Sequence, residues 1–284
     1  MKGRLAWLAH PAARGCEVDD PETTVRRRTI IRDKVFLRRI YEEWYDALAA
    51  ALAPGEEPAL ELGSGAGFLR DRVPHVVASD ILAVPGLDIV LDATALPFRA
   101  ASLRGIVMTN VMHHLRDVGA FLREAARCVR PGGTVVMLEP WHTPWSRFIY
   151  TRFHPEPFVP DAPDWTAPAS GPLSGANGAL PWIVFARDRR RFDAEFPAWQ
   201  IQSVDLTMPF RYVLSGGVSM RALVPEMTFG FWRWLEARLS SCAGLLAMFA
   251  RIVLVRRDVA GPFDREILTD ARSSQGAGEE EARS

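Results

Sequence analysis

The chain has 284 residues, enough for one large domain or two small ones. Of these 48% are hydrophobic and 24% charged, the balance of a globular protein with a sizeable core. Lysine plus arginine and aspartate plus glutamate are equal at 34 each, so net charge argues against a dedicated nucleic-acid binder. The cysteines Cys16, Cys128 and Cys242 stand far apart with no metal-spaced pair, which points to a reduced, cytoplasmic compartment.

The run Met1 to His10 begins with a positive charge, but its apolar stretch is too short and broken for a signal peptide. No window offers about 18 uncharged apolar residues, and the nearest, Leu239 to Val255, is interrupted by Arg251. Residues 1–20 lack periodicity and read as a flexible arm. From about Pro21 the pattern is helical, with Leu37, Ile40, Tyr41, Trp44, Leu48 and Leu52 on one face, until Pro54-Gly55 ends it. Arg26, Arg27, Arg28, Arg32, Arg38 and Arg39 mark either a solvated helix face or a lid turned toward an anion or a membrane.

A short apolar run at Ala59–Leu62, carrying Glu61, then feeds Gly63-Ser64-Gly65-Ala66-Gly67. A buried strand leading into a glycine-rich turn and a helix brings backbone close to a nucleotide-like ligand, because a Cβ there blocks the approach. A short helix over 69–73 follows. Val76–Asp80 and Leu87–Asp92 read as strands ending in acids, and Gly105–Asn110 as a fourth strand. A helix is expected over 117–129 with Phe121, Leu122, Ala125 and Val129 inward, stopped by Pro131-Gly132-Gly133, and Thr134–Glu139 is a fifth strand. Strands this apolar, alternating with helices, call for a parallel sheet covered on both faces.

Past Pro140 the composition shifts. Residues 141–181 are rich in proline and aromatics, and 167–178 is almost entirely small residues and proline, the signature of a long functional or mobile loop. Trp199–Met208 is a sixth strand, 223–250 is helical and aromatic-rich, and Ile252–Val255 is a last strand. The small, acidic tail 269–284 is expected to be disordered.

Four of these segments carry a resemblance. Glu61 to Gly67 resembles the first motif of class I S-adenosylmethionine (SAM)-dependent methyltransferases of the type 11 kind. Asp92-Ala93-Thr94-Ala95-Leu96-Pro97-Phe98, Asn110-Val111-Met112-His113-His114-Leu115 and Arg130-Pro131-Gly132-Gly133 resemble three later ones, in order, over about residues 57–140. The resemblance implies an α/β, Rossmann-like, doubly wound and mostly parallel seven-stranded sheet with helices on both faces. It makes 21–268 a single domain, with a core at 57–140 and acceptor-side material at about 141–250.

By the same resemblance, Glu61 organises the turn and approaches the methionine ammonium of SAM, while Gly63, Ser64, Gly65 and Gly67 admit the cofactor to the backbone. Asp80, with Ile81 beside it, takes the ribose hydroxyls as a double acceptor. Asp92 and the Ala93 backbone read the adenine, and Asn110 lines the methionine end. A nicotinamide site fits worse, because its fingerprint G-x-G-x-x-G places the third glycine one position later.

Methyl transfer needs no metal, since the sulfonium is already activated; it needs alignment and, for some acceptors, a base. His113, His114, Glu139, His142 and His154 are the candidate bases: His142, just after the fifth strand, is the better placed, and packing and turn structure are the other role of the His113-His114 pair. A metal site built from His142, His154 and Glu156 lacks tight ligand spacing, so none is expected. Trp141, Trp145, Arg147 and Tyr150 are the candidate acceptor contacts. The aromatic stretch from Thr228 to Leu235 is either core or a surface for a membrane or a lipid- or polyketide-like acceptor. The expected activity is methyl transfer from SAM to a small, hydrophobic acceptor, to oxygen ahead of carbon or nitrogen. The other readings are a SAM-binding regulator without transfer and a SAM-fold enzyme of non-methylating chemistry.

Overall fold

The computed structural model describes residues 9–13, 15, 17–166 and 171–258. The disordered tail expected from residue 269, and most of the N-terminal arm, lie outside these residues.

Helices α1 (Pro21–Asp33) and α2 (Val35–Ala51) precede strand β1 (Ala59–Leu62), which pairs in parallel with β2 (Val76–Asp80) on one side and β4 (Leu103–Thr109) on the other. Strand β3 (Ile89–Val90) extends the sheet beyond β2. Helix α3 (Val118–Cys128) leads to β5 (Val129–Pro140), and β6 (Trp199–Thr207) and β7 (Phe249–Arg256) complete a seven-stranded sheet in the order β3-β2-β1-β4-β5-β7-β6. Only β7 runs against its neighbours, pairing antiparallel with β5 and β6. The order reverses direction at β1/β4, and a crevice at such a switch point, beyond the carboxyl ends of the strands, is where doubly wound sheets bind ligands. Every residue of β1 is buried, as is β4 from Leu103 to Met108, because helices cover both faces.

Several expected elements differ in detail. The single helical pattern from Pro21 breaks at Lys34, which takes an extended conformation. The Lys34 ammonium donates to the carbonyls of Gly217 (2.6 Å) and Met220 (2.8 Å), so the break is tied to a distant turn. Pro131-Gly132-Gly133 does not separate helix from strand: α3 ends at Cys128, and β5 already includes these residues. Phe249 and Ala250, expected in the helical region, open β7.

Residues 141–181, expected as a long loop, contain helix α4 (Pro144–Phe153), started by a reciprocal cap. Thr143 Oγ1 accepts from Ser146 N (3.1 Å), and Ser146 Oγ accepts from Thr143 N (2.8 Å). Buried Asn177 fixes the described part of the remaining loop. Its amide pairs with both backbone groups of Val159, and its own N–H donates to the carbonyl of His113. Asp19, from the expected flexible arm, accepts from the N–H groups of Leu173 (2.7 Å) and Ser174 (3.0 Å). This part of the arm is therefore tied down.

Candidate active site

The chain leaves β1 at Gly63, whose φ of 70° lies in the left-handed region. A Cβ on Gly63 would collide with the Val111 side chain, and one on Gly65 would stand 2.6 Å from Asp80 Oδ2. Asp80, at the end of β2, closes the turn: Oδ2 accepts from Gly65 N and Oδ1 from Leu82 N, each at 3.0 Å. Burial pushes the Asp80 carboxyl up, and these backbone donors pull against it. Behind the turn, Ser64 Oγ donates to Glu61 Oε2 (2.7 Å) and accepts from Ser79 N (3.1 Å). Glu61 is buried, and burial lifts its carboxyl to about 7 against the pull of the Ser64 hydroxyl. Helix α1 lies over the turn. The Arg28 guanidinium donates twice to the carbonyl of Gly65 (2.6 and 3.0 Å) and once to that of Pro85 (3.0 Å).

Beyond the turn is a cavity of about 520 Å³, lined at one end by Gly63, Asp80, Ile81, Asp92 and Ala93 and in the middle by Asn110, His113 and His114. Its far end is aromatic: Tyr150 stacks on Phe158 with ring centres 5.0 Å apart, and Tyr212 meets Phe249 edge-on at 4.9 Å. Ile81, 39% exposed, offers an apolar face beside the Asp80 carboxylate. Asp92 Oδ1 is held by the N–H (2.8 Å) and hydroxyl (2.7 Å) of Thr94. Asn110 sits at a positive φ of 58°, a conformation its short polar side chain tolerates better than most. Arg27, from α1, also lines the cavity, so one of the arginines read as either solvated or lid-forming faces it.

Just behind the floor lies Glu139, fully buried and one of the candidate bases expected from the sequence. Glu139 Oε1 accepts from the N–H groups of Val111 and Met112, both at 2.8 Å, and Oε2 bonds His113 Nδ1 at 2.7 Å. His113 Nε2 faces Glu156 Oε2 at 3.5 Å. Burial opposes charge on the His113 ring, but the Glu139 and Glu156 carboxylates outweigh it and raise its pKa to about 9. His113 is therefore an imidazolium at neutral pH, with no lone pair to act as a base. Burial also disfavours charge on Glu156, yet His113 holds it well below the usual carboxylate range. Burial and the His113 charge push the neighbouring His114 ring down to about 3. The acid near the end of β5 and the histidine after β4 are each visible in sequence, but their pairing needs the β4–β5 register, in which Thr109 stands beside Leu138.

Other expected contacts fall elsewhere. Glu61, Ser64, Gly65 and Gly67 buttress the turn from behind and do not line the cavity. Neither does His142: it packs on Trp182 (4.6 Å) and Phe158 (5.9 Å), with its ring pKa lowered by burial and by Arg147. Trp141 is buried beside β7, the Trp145 indole donates to the carbonyl of Pro209 (2.8 Å), and Arg147 is also outside the lining. Tyr150 alone of the expected acceptor contacts faces the cavity, with its hydroxyl donating to the carbonyl of Met248 (3.1 Å). In helix α5 (Phe229–Arg238), Phe229 is buried while Phe231 and Trp234 are 56% and 53% exposed.

The sheet order, the left-handed glycine after β1 and the acid at the end of β2 are together those of the class I SAM-dependent methyltransferase fold. Residues 60–137 match the family model described as "Methyltransferase domain". A demethylmenaquinone methyltransferase from Streptomyces avermitilis is 33% identical over 64 residues, which are 22% of this chain and 28% of that protein. The chain thus matches about a quarter of that relative's length. Among solved structures, a methyltransferase in complex with the Haloferax volcanii Trm112 activator superposes with a TM-score of 0.50 at 15% identity. The match covers 86% of this chain and 99% of that one, a likeness of fold. Geranyl diphosphate methyltransferase in complex with SAM gives a TM-score of 0.48 at 16% identity, over 87% of this chain and 95% of that one.

Proposed function

We propose that the protein is a cytoplasmic enzyme that moves the methyl group of SAM to a small, hydrophobic acceptor, with oxygen as the favoured receiving atom. The observation that carries this reading is one continuous cavity. It begins at Gly63, Asp80, Ile81 and Asp92, passes Asn110, and ends among the rings of Tyr150, Phe158, Tyr212 and Phe249. SAM fits the first end, where the bare backbone of Gly63 and the carboxylates of Asp80 and Asp92 line the cavity. Gly63 and Asn110 would hold its amino-acid portion, Asp80 its ribose hydroxyls, and Ile81, Asp92 and Ala93 its adenine. Bound there, SAM supplies an electrophilic methyl group.

The chain's own groups then do the rest. Arg28 holds α1 over the turn and keeps water from that side. The aromatic rings exclude water from the acceptor end and give an apolar ligand its contact area. His113, Glu156 and His154 set hydrogen-bonding groups beside those rings, which suits an acceptor carrying oxygen. An acceptor with a hydroxyl of low pKa, such as a phenol or enol, fits best, since the His113 ring is already protonated.

The test is conversion of SAM to S-adenosylhomocysteine across a panel of apolar phenols, enols and carboxylic acids, with the methyl group located by NMR. Turnover with the methyl group on oxygen is expected. Tight SAM binding without turnover on any acceptor would favour a binding protein, and failure to bind SAM would overturn the reading. The exposed Phe231 and Trp234, with Arg238 over the Trp234 ring at 5.4 Å, support peripheral contact with a membrane that carries a lipid-like acceptor. Absence of co-flotation with liposomes would retire that extension.

A further inference from the structure

His113 and His114 leave the short turn after β4 side by side, with ring centres 4.2 Å apart, and Glu156 reaches them from the loop after α4. Each of these side chains offers one ligand atom, and the atoms lie within 4.8 Å of one another. We infer that His113, His114 and Glu156 form a binding site for a divalent first-row transition-metal ion, zinc above all, at the floor of the cavity. The site is independent of the methyl-transfer reading, since nothing in it depends on SAM.

Geometry carries the inference first. Zinc bonds of about 2.0–2.1 Å at a tetrahedral angle set two ligand atoms about 3.4 Å apart. His113 Nε2 and Glu156 Oε2 are separated by 3.5 Å, which matches such an edge and is long for a strong hydrogen bond. The widest of the separations has to close by at most about 1.4 Å.

The surroundings carry it further. Glu139 accepts from His113 Nδ1 at 2.7 Å, which orients the ring so that Nε2 points at Glu156. A carboxylate behind a histidine in this way is the usual support for a metal-ligating imidazole, and the ion would displace the Nε2 proton that the His113 ring carries without it. Glu139 is itself fixed by the backbone N–H groups of Val111 and Met112, so this support is rigid. His114 Nδ1 is buried and has no hydrogen-bond partner, a costly condition for a polar atom that a metal bond would relieve. Two imidazoles and one carboxylate suit zinc or ferrous iron better than magnesium or calcium. Three protein ligands leave a coordination position for water or another small ligand, and all three line the cavity.

The sequence concealed this cluster because Glu156 lies more than forty positions beyond the histidine pair, with β5 and α4 between them.

The test uses full-length, tag-free protein stripped with a chelator, dialysed and titrated with zinc against a chromophoric competitor. One zinc per chain is expected. Glu156→Gln and His114→Ala each weaken it by at least about 100-fold, and Glu139→Gln by about 10- to 100-fold. His142→Ala and Cys242→Ser, outside the cluster, leave it unchanged. Circular dichroism verifies that each variant is folded. If one is not, the cobalt spectrum of the wild-type protein decides: intense visible bands of a low-coordinate nitrogen-containing site support the assignment. An octahedral, oxygen-only spectrum overturns it, as does the absence of stoichiometric binding or binding unchanged in Glu156→Gln.

Discussion

Replacement of Asp80 by alanine tests both the architecture of the turn and the proposed cofactor site. In the folded protein its two oxygens satisfy the N–H groups of Gly65 and Leu82, each at 3.0 Å. Removing them leaves two backbone donors without a partner, and each unsatisfied buried donor costs about 1–3 kcal/mol. The substitution also relieves the burial of a carboxylate whose pKa burial already raises. The net loss of folding stability is therefore about 2–3 kcal/mol. Binding loses a comparable amount. A charged acceptor for the ribose contributes about 1.5–3 kcal/mol, so the Kd for SAM rises by roughly 10- to 150-fold. Asp80→Asn keeps the shape and removes only the charge, and it falls between the two. Isothermal titration with SAM and S-adenosylhomocysteine, at a temperature where circular dichroism shows each variant folded, gives the numbers. A Kd for Asp80→Ala within threefold of wild type would refute the assignment of Asp80 to the ribose.

Three further outcomes are expected. Burial raises the Glu61 carboxyl from 4.5 in the unfolded chain to about 7, so the folded state binds its proton more tightly. Its contribution is complete below about pH 4.5 and is lost as pH rises through 7, roughly 3 kcal/mol in all, and Glu61→Gln removes that slope. Urea melts of both proteins at pH 4.5 and 7.5 check this; parallel slopes would refute it. Gly63→Ala pays about 1–2 kcal/mol for a left-handed alanine and more for the collision with Val111, and it abolishes SAM binding. The double variant with Val111→Ala recovers only the collision part, so full recovery in thermal melts would show that φ is not limiting. Arg28→Ala unties α1 from the carbonyls of Gly65 and Pro85 and weakens SAM binding by about tenfold. Hydrogen exchange in α1 rises in the same variant, and unchanged exchange would show that the helix is held by other contacts.

The cofactor half was legible because its determinants are local. An apolar run, alternate glycines and an acid at each strand end form within a few residues, and they were placed to within a residue or two in β1, β2, β4 and α3. Helix α4 was missed although its cap is written in Thr143-Pro144-Trp145-Ser146, since the prolines and aromatics around it read as loop. The acceptor half was not legible for a different reason. Its composition says only that aromatics are abundant, and an aromatic packs equally well into a core or a pocket. Tyr150 faces the cavity while Trp145, on the same helix, turns its indole to Pro209.

What the amino-acid order determined by itself is therefore the strand-and-turn frame, with Gly63 and Asp80 in their positions. The tertiary structure alone decided which side chains meet at and behind the cavity floor. Glu139 meets His113 because β4 and β5 are neighbours in register, and Glu156 meets His113 from the other side because the loop after α4 folds back over the strand ends. Such meetings depend on chain crossings between residues distant in sequence, and no spacing along the chain encodes them. That is why the two histidines look like a turn motif in the sequence and become, in three dimensions, one charged and one neutral ring at the floor of the cavity.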